Sequence, residues 1–253
     1  MPPWPYPRHC AHRGAGKLAP ENTLAAMEVG FAHGYRMVEF DVKLSADGVP
    51  FLLHDDTLER TTDGRGPAGA LAWAELARLD AGSWHSRAFA REAVPTFEVI
   101  ARWAVDNAVA CNVEIKPMPG LDAKTGTEVA LATRELFRKA SVPPLLSSFS
   151  EVSLEAARAA TPELERALLV EEIPADWQAR LERLGCVALD PDYRELTKGL
   201  VAAVLYAGYR VVTYTPNAPA VVARLLDWGV DTVITDAIDV IRPLQAADRS
   251  GPG

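Results

Sequence analysis

Rhythm constrains this chain more than any single residue does. Eight short apolar runs, at 8–12, 36–42, 110–115, 144–148, 165–170, 186–190, 209–214 and 231–235, are each bounded by charge or turn residues. Between them lie stretches with apolar residues at three- and four-residue spacing, at 22–33, 96–106, 123–139, 151–160, 175–184, 195–206 and 217–227. Several begin on cap-like residues, Asn22 or Thr23 and Asn217, and several end at Gly34, Gly185, Gly208 or Gly229. Eight strands alternating with helices over 253 residues predict an α/β chain folded as one (β/α)₈ TIM barrel domain spanning 1–253. An open doubly wound sheet fits less well, because His12-Arg13-Gly14-Ala15-Gly16 lacks the third glycine of a dinucleotide turn. The tail, Arg249 to Gly253, is expected to fray.

One stretch breaks the rhythm. Asp47-Gly48 between alternating flanks signals a tight hairpin, so the second strand doubles back as an antiparallel arm that ends at His54. With Asp47 and Gly48 as a two-residue loop, opposed positions sum to 95 and Asp41 faces His54, with Cβ atoms about 5 Å apart. The following residues, about 55–92, are turn-rich with one short helix near 72–78, and read as an insertion forming a lid or substrate wall.

Composition narrows the partners. The formal net charge of −8 provides no field for a polyanion, which disfavours nucleic acid. Every apolar run is far shorter than the roughly twenty residues that span a bilayer, and MPPWPYPRHC has no export pattern, so a soluble cytoplasmic protein is expected. Cys10, Cys111 and Cys186 are read as small buried residues in a reducing compartment.

Charge gathers where the strands end. Glu39 and Asp41 lie two apart on one strand, so they point the same way with Cα atoms about 6.6 Å apart. Left alone among apolar neighbours they would repel; a divalent ion removes that conflict, and Glu114 completes a three-carboxylate oxygen shell suited to Mg²⁺ or Ca²⁺. Arg13 offers a planar fork for phosphate, and Lys116 shares a face with Glu114. With the ion and both cations set against three carboxylates, one positive charge remains, which a phosphodiester would neutralise. His12 and His54 are the candidate general acid and base, in unassigned order, whereas His9, His33 and His85 are expected elsewhere.

These residues and their surroundings resemble the glycerophosphodiester phosphodiesterase family. The resemblance rests on His12-Arg13-Gly14, Pro20-Glu21-Asn22-Thr23, Glu39-Phe40-Asp41-Val42, Asp47-Gly48, His54-Asp55, Arg60-Thr61-Thr62, Leu79 to Trp84, Val94-Pro95-Thr96-Phe97 and Asn112 to Lys116. Looser echoes follow at Ser148-Phe149-Ser150, Thr213 to Asn217, and Gly229 to Asp236. It implies hydrolysis of glycerophosphodiesters to glycerol 3-phosphate and an alcohol, one divalent cation on the carboxylates, and Phe149 and Tyr214 against the substrate. Where the family often carries Trp in a Trp-Thr-Val-Asn string, this chain has Tyr214 and Pro216, which bears on substrate preference. Two other readings of the same residues are phospholipase-type head-group cleavage and a non-hydrolytic barrel that retains glycerophosphoesters. No amphipathic membrane helix accompanies the first, and the second leaves paired histidines without a task.

Overall fold

The structure is a computed structural model that describes residues 3–243; the tail 249–253 lies outside the described residues. Nine strands are present among them: β1 (His9–Ala11), β2 (Met37–Leu44), β3 (Pro50–Leu52), β4 (Ala110–Ile115), β5 (Leu145–Ser148), β6 (Arg166–Val170), β7 (Ala188–Pro191), β8 (Arg210–Thr213) and β9 (Thr232–Thr235). Eight of them run parallel in the order β1-β9-β8-β7-β6-β5-β4-β2, and pairing of Ala11 with Val38 joins β1 to β2 and closes the barrel. β3 pairs antiparallel with the end of β2.

The connecting helices are α1 (Leu24–Ala32), the single turn α2 (Trp73–Leu76), α3 (Phe97–Asp106), α4 (Asp122–Leu136), α5 (Glu151–Ala160), α6 (Trp177–Leu184), α7 (Lys198–Tyr206) and α8 (Pro219–Trp228). Four of them start on a hydroxyl that accepts a backbone N–H of the first turn: Thr23 for α1, Thr96 for α3, Ser150 for α5 and Thr197 for α7. Asn22 and Asn217 therefore do not serve as caps, and their amides are free to reach the strand ends. Gly185 and Gly229 close α6 and α8 in left-handed conformation, as their spacing predicts. Among the described residues no helix is long and apolar enough to cross a membrane.

Inside the barrel, the alternation of side chains along each strand builds layers. Cys10, Met37, Ala110, Leu145, Ala167, Ala188, Val212 and Ile234, one from each parallel strand, form an apolar layer near the strands' N-terminal ends, which Tyr6 and Trp4 cover from below. Two residues further along the same strands come His12, Glu39, Asn112, Ser147, Leu169, Asp190 and Tyr214. The interior thus turns from oily to polar within one step of the pleat. Helices α1, α3, α4 and α5 pack outside β1, β2, β4 and β5 through a continuous apolar cluster that includes Phe40, Phe97, Ile100 and Val113. A second such cluster, with Leu181, Leu189, Val201 and Leu225, covers β6 to β8.

The hairpin register differs by one residue from expectation. Val42 faces Leu52, Lys43 faces Phe51 and Leu44 faces Pro50, so opposed numbers sum to 94, and Asp41 lies across from Leu53, whose N–H it accepts at 3.2 Å. The loop has three residues, Ala46-Asp47-Gly48, with Gly48 at φ +84°, and Ser45 N–H donates to Val49 at 3.0 Å to close it. Asp47 is drawn out of the turn by distant contact, accepting the Trp73 N–H at 2.8 Å. His54 thus lies one residue past the position opposite Asp41. Residues 55–92 carry a small core of their own, with Leu58, Ala68, Leu76 and Ala81 packed on Phe51 and Leu53 of the arm.

Candidate active site

The polar end of the barrel opens into a cavity of about 1080 Å³ lined by His12, Arg13, Glu39, His54, Glu114, Lys116, Phe149 and Tyr214 among others. From the span 55–92 only Asp56 reaches its wall, so the side facing the histidines is built instead by the ends of β6 to β8, with Leu169, Glu171, Asp192 and Tyr214. Every residue expected at the site except Asp41 is on this lining. Asp41, 1% exposed, is paired in register with Glu114 of the lining.

Glu39, Asp41 and Glu114 are all buried, and one oxygen from each lies within 4.8 Å of the others. Parallel pairing sets this arrangement: Asp41 is level with Glu114, and Glu39 is one pleat below. Burial, and then Asp41 and Glu114, push the Glu39 carboxyl well above its ordinary range. Glu114 is pushed up to about 7 by burial and by Asp41, in spite of the Lys116 ammonium 2.8 Å away. Asp41 behaves oppositely: burial pushes it up, but Arg13, His54, Lys116 and a hydrogen bond from Asn22 hold it at about 2. Glu39 Oε1 and Asp41 Oδ1 have no hydrogen-bond donor among the described residues. Uncovered, buried, like-charged oxygens are costly without a cation. The set therefore fits a hard divalent ion taken by oxygen ligands.

Asn22 is the residue that fixes Asp41, and the expected-site reading missed it. Its Nδ2 donates to Asp41 Oδ2 at 2.8 Å while its Oδ1 accepts the Asp41 N–H at 3.0 Å. To do so Asn22 adopts φ +58°, a left-handed conformation asparagine tolerates. Arg13, at φ +51°, turns the chain so that its own N–H reaches Glu39 Oε2 at 3.0 Å and its guanidinium Nε comes within 3.5 Å of Asp41. Gly14 follows at φ +94°, and a Cβ there would meet the α1 backbone at 2.9 Å. Lys116 Nζ bonds Glu114, sits 3.9 Å from Asp41 and lies 5.3 Å over the Phe149 ring. Phe149 and Tyr214 meet edge to face at 5.8 Å, and the Tyr214 hydroxyl donates to the Val170 carbonyl, leaving its ring as the surface it presents.

Both histidines are held the same way. His12 Nδ1 donates to Asp236 at 2.6 Å, and His54 Nδ1 donates to Asp55 at 2.7 Å. A carboxylate can only accept, so each Nε2 is the nitrogen left for chemistry, and the Nε2 of His12 lies 3.8 Å from Glu39. Burial pushes the His54 imidazole below its ordinary value, with Arg13 and Lys116 adding to the effect against Asp41 and Asp55. Asn217 in turn steadies Asp236, its Nδ2 donating to Oδ2 at 3.1 Å and its Oδ1 accepting the Asp236 N–H at 2.9 Å. Asp55, Asp236 and Asn217 were visible as motif letters, but their tasks depend on contacts made across the barrel mouth. His9 is buried, His33 bonds its own helix turn and His85 bonds the Lys17 carbonyl; none of them lines the cavity.

A closed barrel whose strand ends converge acids, cations and two oriented imidazoles on one cavity is the frame of a hydrolase acting on an anionic ester. Residues 12–240 match the glycerophosphoryl diester phosphodiesterase family. The chain is 32% identical over 231 residues to a glycerophosphodiester phosphodiesterase of Caldanaerobacter subterraneus, covering 89% of this chain and 92% of that one. It is 30% identical to a Bacillus subtilis protein of the same name, over 93% and 85% of the two chains. A phosphodiesterase of Oleispira antarctica, solved with its product sn-glycerol-3-phosphate, superposes with a TM-score of 0.85 at 37% identity, over 92% of this chain and 94% of that one. This chain belongs to the glycerophosphoryl diester phosphodiesterase family, and the (β/α)₈ barrel expected from its rhythm is the fold of that family's solved members.

Proposed function

We propose that this enzyme hydrolyses water-soluble glycerophosphodiesters to glycerol 3-phosphate and an alcohol, in a metal-dependent reaction with histidine acid-base catalysis. The observation that carries this reading is the buried trio Glu39, Asp41 and Glu114, with two oxygens that lack a hydrogen-bond donor among the described residues, set beside Arg13, Lys116 and two imidazoles whose Nδ1 atoms are engaged by carboxylates and whose Nε2 atoms make no hydrogen bond among the described residues. Glu39, Asp41 and Glu114 would hold one Mg²⁺ or Ca²⁺. Bound there, such an ion supplies Lewis-acid polarisation of a phosphoryl oxygen.

The chain's own residues do the rest. Arg13 and Lys116 bind the phosphate oxygens and stabilise the charge of the pentacoordinate transition state. Burial lowers the proton affinity of His54, and its Nε2 takes the proton of the attacking hydroxyl as that oxygen bonds to phosphorus. His12, acting as the imidazolium, gives its Nε2 proton to the alkoxide oxygen as the P–O bond breaks, and solvent carries the proton from His54 back to His12 to reset the pair. Asp55 holds His54 as the Nδ1–H tautomer whose Nε2 accepts, and Asp236 stabilises the imidazolium form of His12 whose Nε2–H donates. The Phe149 and Tyr214 rings form the wall against which the carbon skeleton packs. The product complex of the Oleispira relative supports a small-molecule substrate of this chemistry. Within this reading the whole chain is one barrel domain with 55–92 as its insertion, and the buried unpaired cysteines 10, 111 and 186 suit the cytoplasm.

The test is release of glycerol 3-phosphate from choline, ethanolamine, glycerol and inositol diesters, with and without chelator, and with each cation restored. Turnover that persists unchanged in excess chelator refutes the metal role, and no release from any diester refutes the substrate class.

A further inference from the structure

Two family motifs, Pro20-Glu21-Asn22-Thr23 and Arg60-Thr61-Thr62, contribute Glu21 and Arg60, neither of which lines the cavity. Yet their side chains form one continuous bridge between the two halves of the site. Arg60 Nε and Nη2 grip Asp55 Oδ2 and Oδ1 at 2.6 and 2.8 Å. Its Nη1 and Nη2 grip Glu21 Oε2 and Oε1 at 2.7 and 2.8 Å. Both edges of the guanidinium are thus engaged by a carboxylate. The shared atom is informative: Nη2 bonds Asp55 Oδ1 and Glu21 Oε1, and those are the oxygens that accept from His54 Nδ1 and from Arg13 Nη1, the latter at 2.7 Å.

We propose that Arg60 is a positioning residue that sets the orientation of His54, through Asp55, and of Arg13, through Glu21, at the same time. This rests on the roles given to His54 and Arg13 above. A planar fork fixes the plane of each carboxylate, and each carboxylate plane fixes the direction of the cation or imidazole on its far side. An ammonium in its place would be a point charge and fix neither. The backbone that presents Arg60 is itself pinned: Leu58 is fully buried, its N–H donates to Gly66 at 3.1 Å, and its carbonyl accepts both the Thr62 N–H and the Thr62 hydroxyl. The insertion accordingly serves the chemistry by holding this clamp, although only Asp56 of it meets the cavity. His12 has no counterpart, since its Asp236 is held by Asn217.

Arg60→Ala and Arg60→Lys are compared with wild type and with Arg102→Ala, whose side chain makes a surface pair with Glu98 and no other among the described residues. Misplacement of two groups by a fraction of an ångström should lower kcat/KM about 10- to 100-fold. The loss should appear in both constants, as a lower kcat from His54 and a higher KM from Arg13. Lysine should not restore it, whereas millimolar methylguanidinium should partly rescue the alanine variant, because the Arg60 side chain is 44% exposed and its place is open to solvent. In a Glu21→Gln, Asp55→Asn background, Arg60→Ala should cost no more than about twofold, since there is nothing left to orient. If the alanine variant melts below the assay temperature, Arg60→Gln keeps the bulk and faces the same test. A readout free of turnover is the hydrogen-bonded Nδ1 proton of His54 in the NMR spectrum, which should shift or exchange away in Arg60→Ala. Full activity in Arg60→Ala, a loss undiminished in the double background, or an unmoved His54 proton overturns the inference. A wild-type enzyme that releases no glycerol 3-phosphate overturns the underlying function instead.

Discussion

The lower and upper interiors of the barrel are built by the same eight strands with the same alternation, and they have opposite chemistry. Below, Cys10, Met37, Ala110, Leu145, Ala167, Ala188, Val212 and Ile234 fill the space with apolar side chains. One pleat above, Glu39, Asn112, Ser147 and Asp190 are as deeply buried, yet each leaves a polar atom without a donor or acceptor among the described residues. Packing alone would never choose the upper set, since each uncovered group costs stability that an apolar residue would not. Under the function proposed above, the difference separates two duties: the lower layer holds the barrel closed, and the upper one keeps polar and charged groups available for ligands.

That separation can be broken by substitution, and the largest effect should fall on activity. Glu114→Ala or Glu39→Ala should remove metal-dependent turnover, a loss of at least about 10³-fold, while the melting temperature stays level or rises because one of three repelling carboxyls is gone. Calorimetric titration with Mg²⁺ or Ca²⁺ should lose its heat in the same variants. A melting temperature that collapses would mean that the acids serve the fold. Next come His12→Ala and His54→Ala, each expected to lower kcat about 10²- to 10⁴-fold with little change in stability. A rate unchanged in both removes acid-base catalysis. Met37→Ala should do the reverse: it empties part of the lower layer at a cost of about 2–5 kcal/mol in denaturant unfolding, with kcat within about twofold when assayed below the new melting point.

How far these two layers could be read beforehand follows from what each depends on. The lower layer and the barrel were legible because period and length alone specify them; the strands end within a residue or two of where the apolar runs do. Glu39, Asp41 and Glu114 were legible because acids in an apolar run demand a reason. The hairpin register was not, since Asp47 is committed to the Trp73 N–H in the insertion and Gly48 takes the left-handed place in a three-residue loop. Asn22 and Asn217 looked like helix caps, a local task; their amides instead go to Asp41 and Asp236, contacts that span 19 residues each and that no local pattern announces. Arg60 is a single letter of a motif in the sequence, and its task depends on Glu21 and Asp55, which the fold sets on either side of it.

Asp190 tests the comparison most finely, because it belongs to the upper layer by position and to neither duty by contact. It is fully buried on β7, both carboxyl oxygens lack partners among the described residues, and burial, followed by Glu114, pushes its carboxyl well above the ordinary range. In the fold it keeps its proton at a pH where the unfolded chain, near about 3.9, has released it. The native state then binds more protons than the unfolded state, so stability falls as pH rises above the unfolded value, by about 1.4 kcal/mol per pH unit for this one group, until the folded carboxyl itself ionises. Asp190→Asn removes the titrating group while preserving its shape. Urea unfolding at pH 5, 6, 7 and 8 should therefore show a shallower decline with pH in the variant than in the wild type, and a variant that gains nothing toward pH 8 would mean that Asp190 is already ionised and served by a cation, making it part of the charged machinery above it.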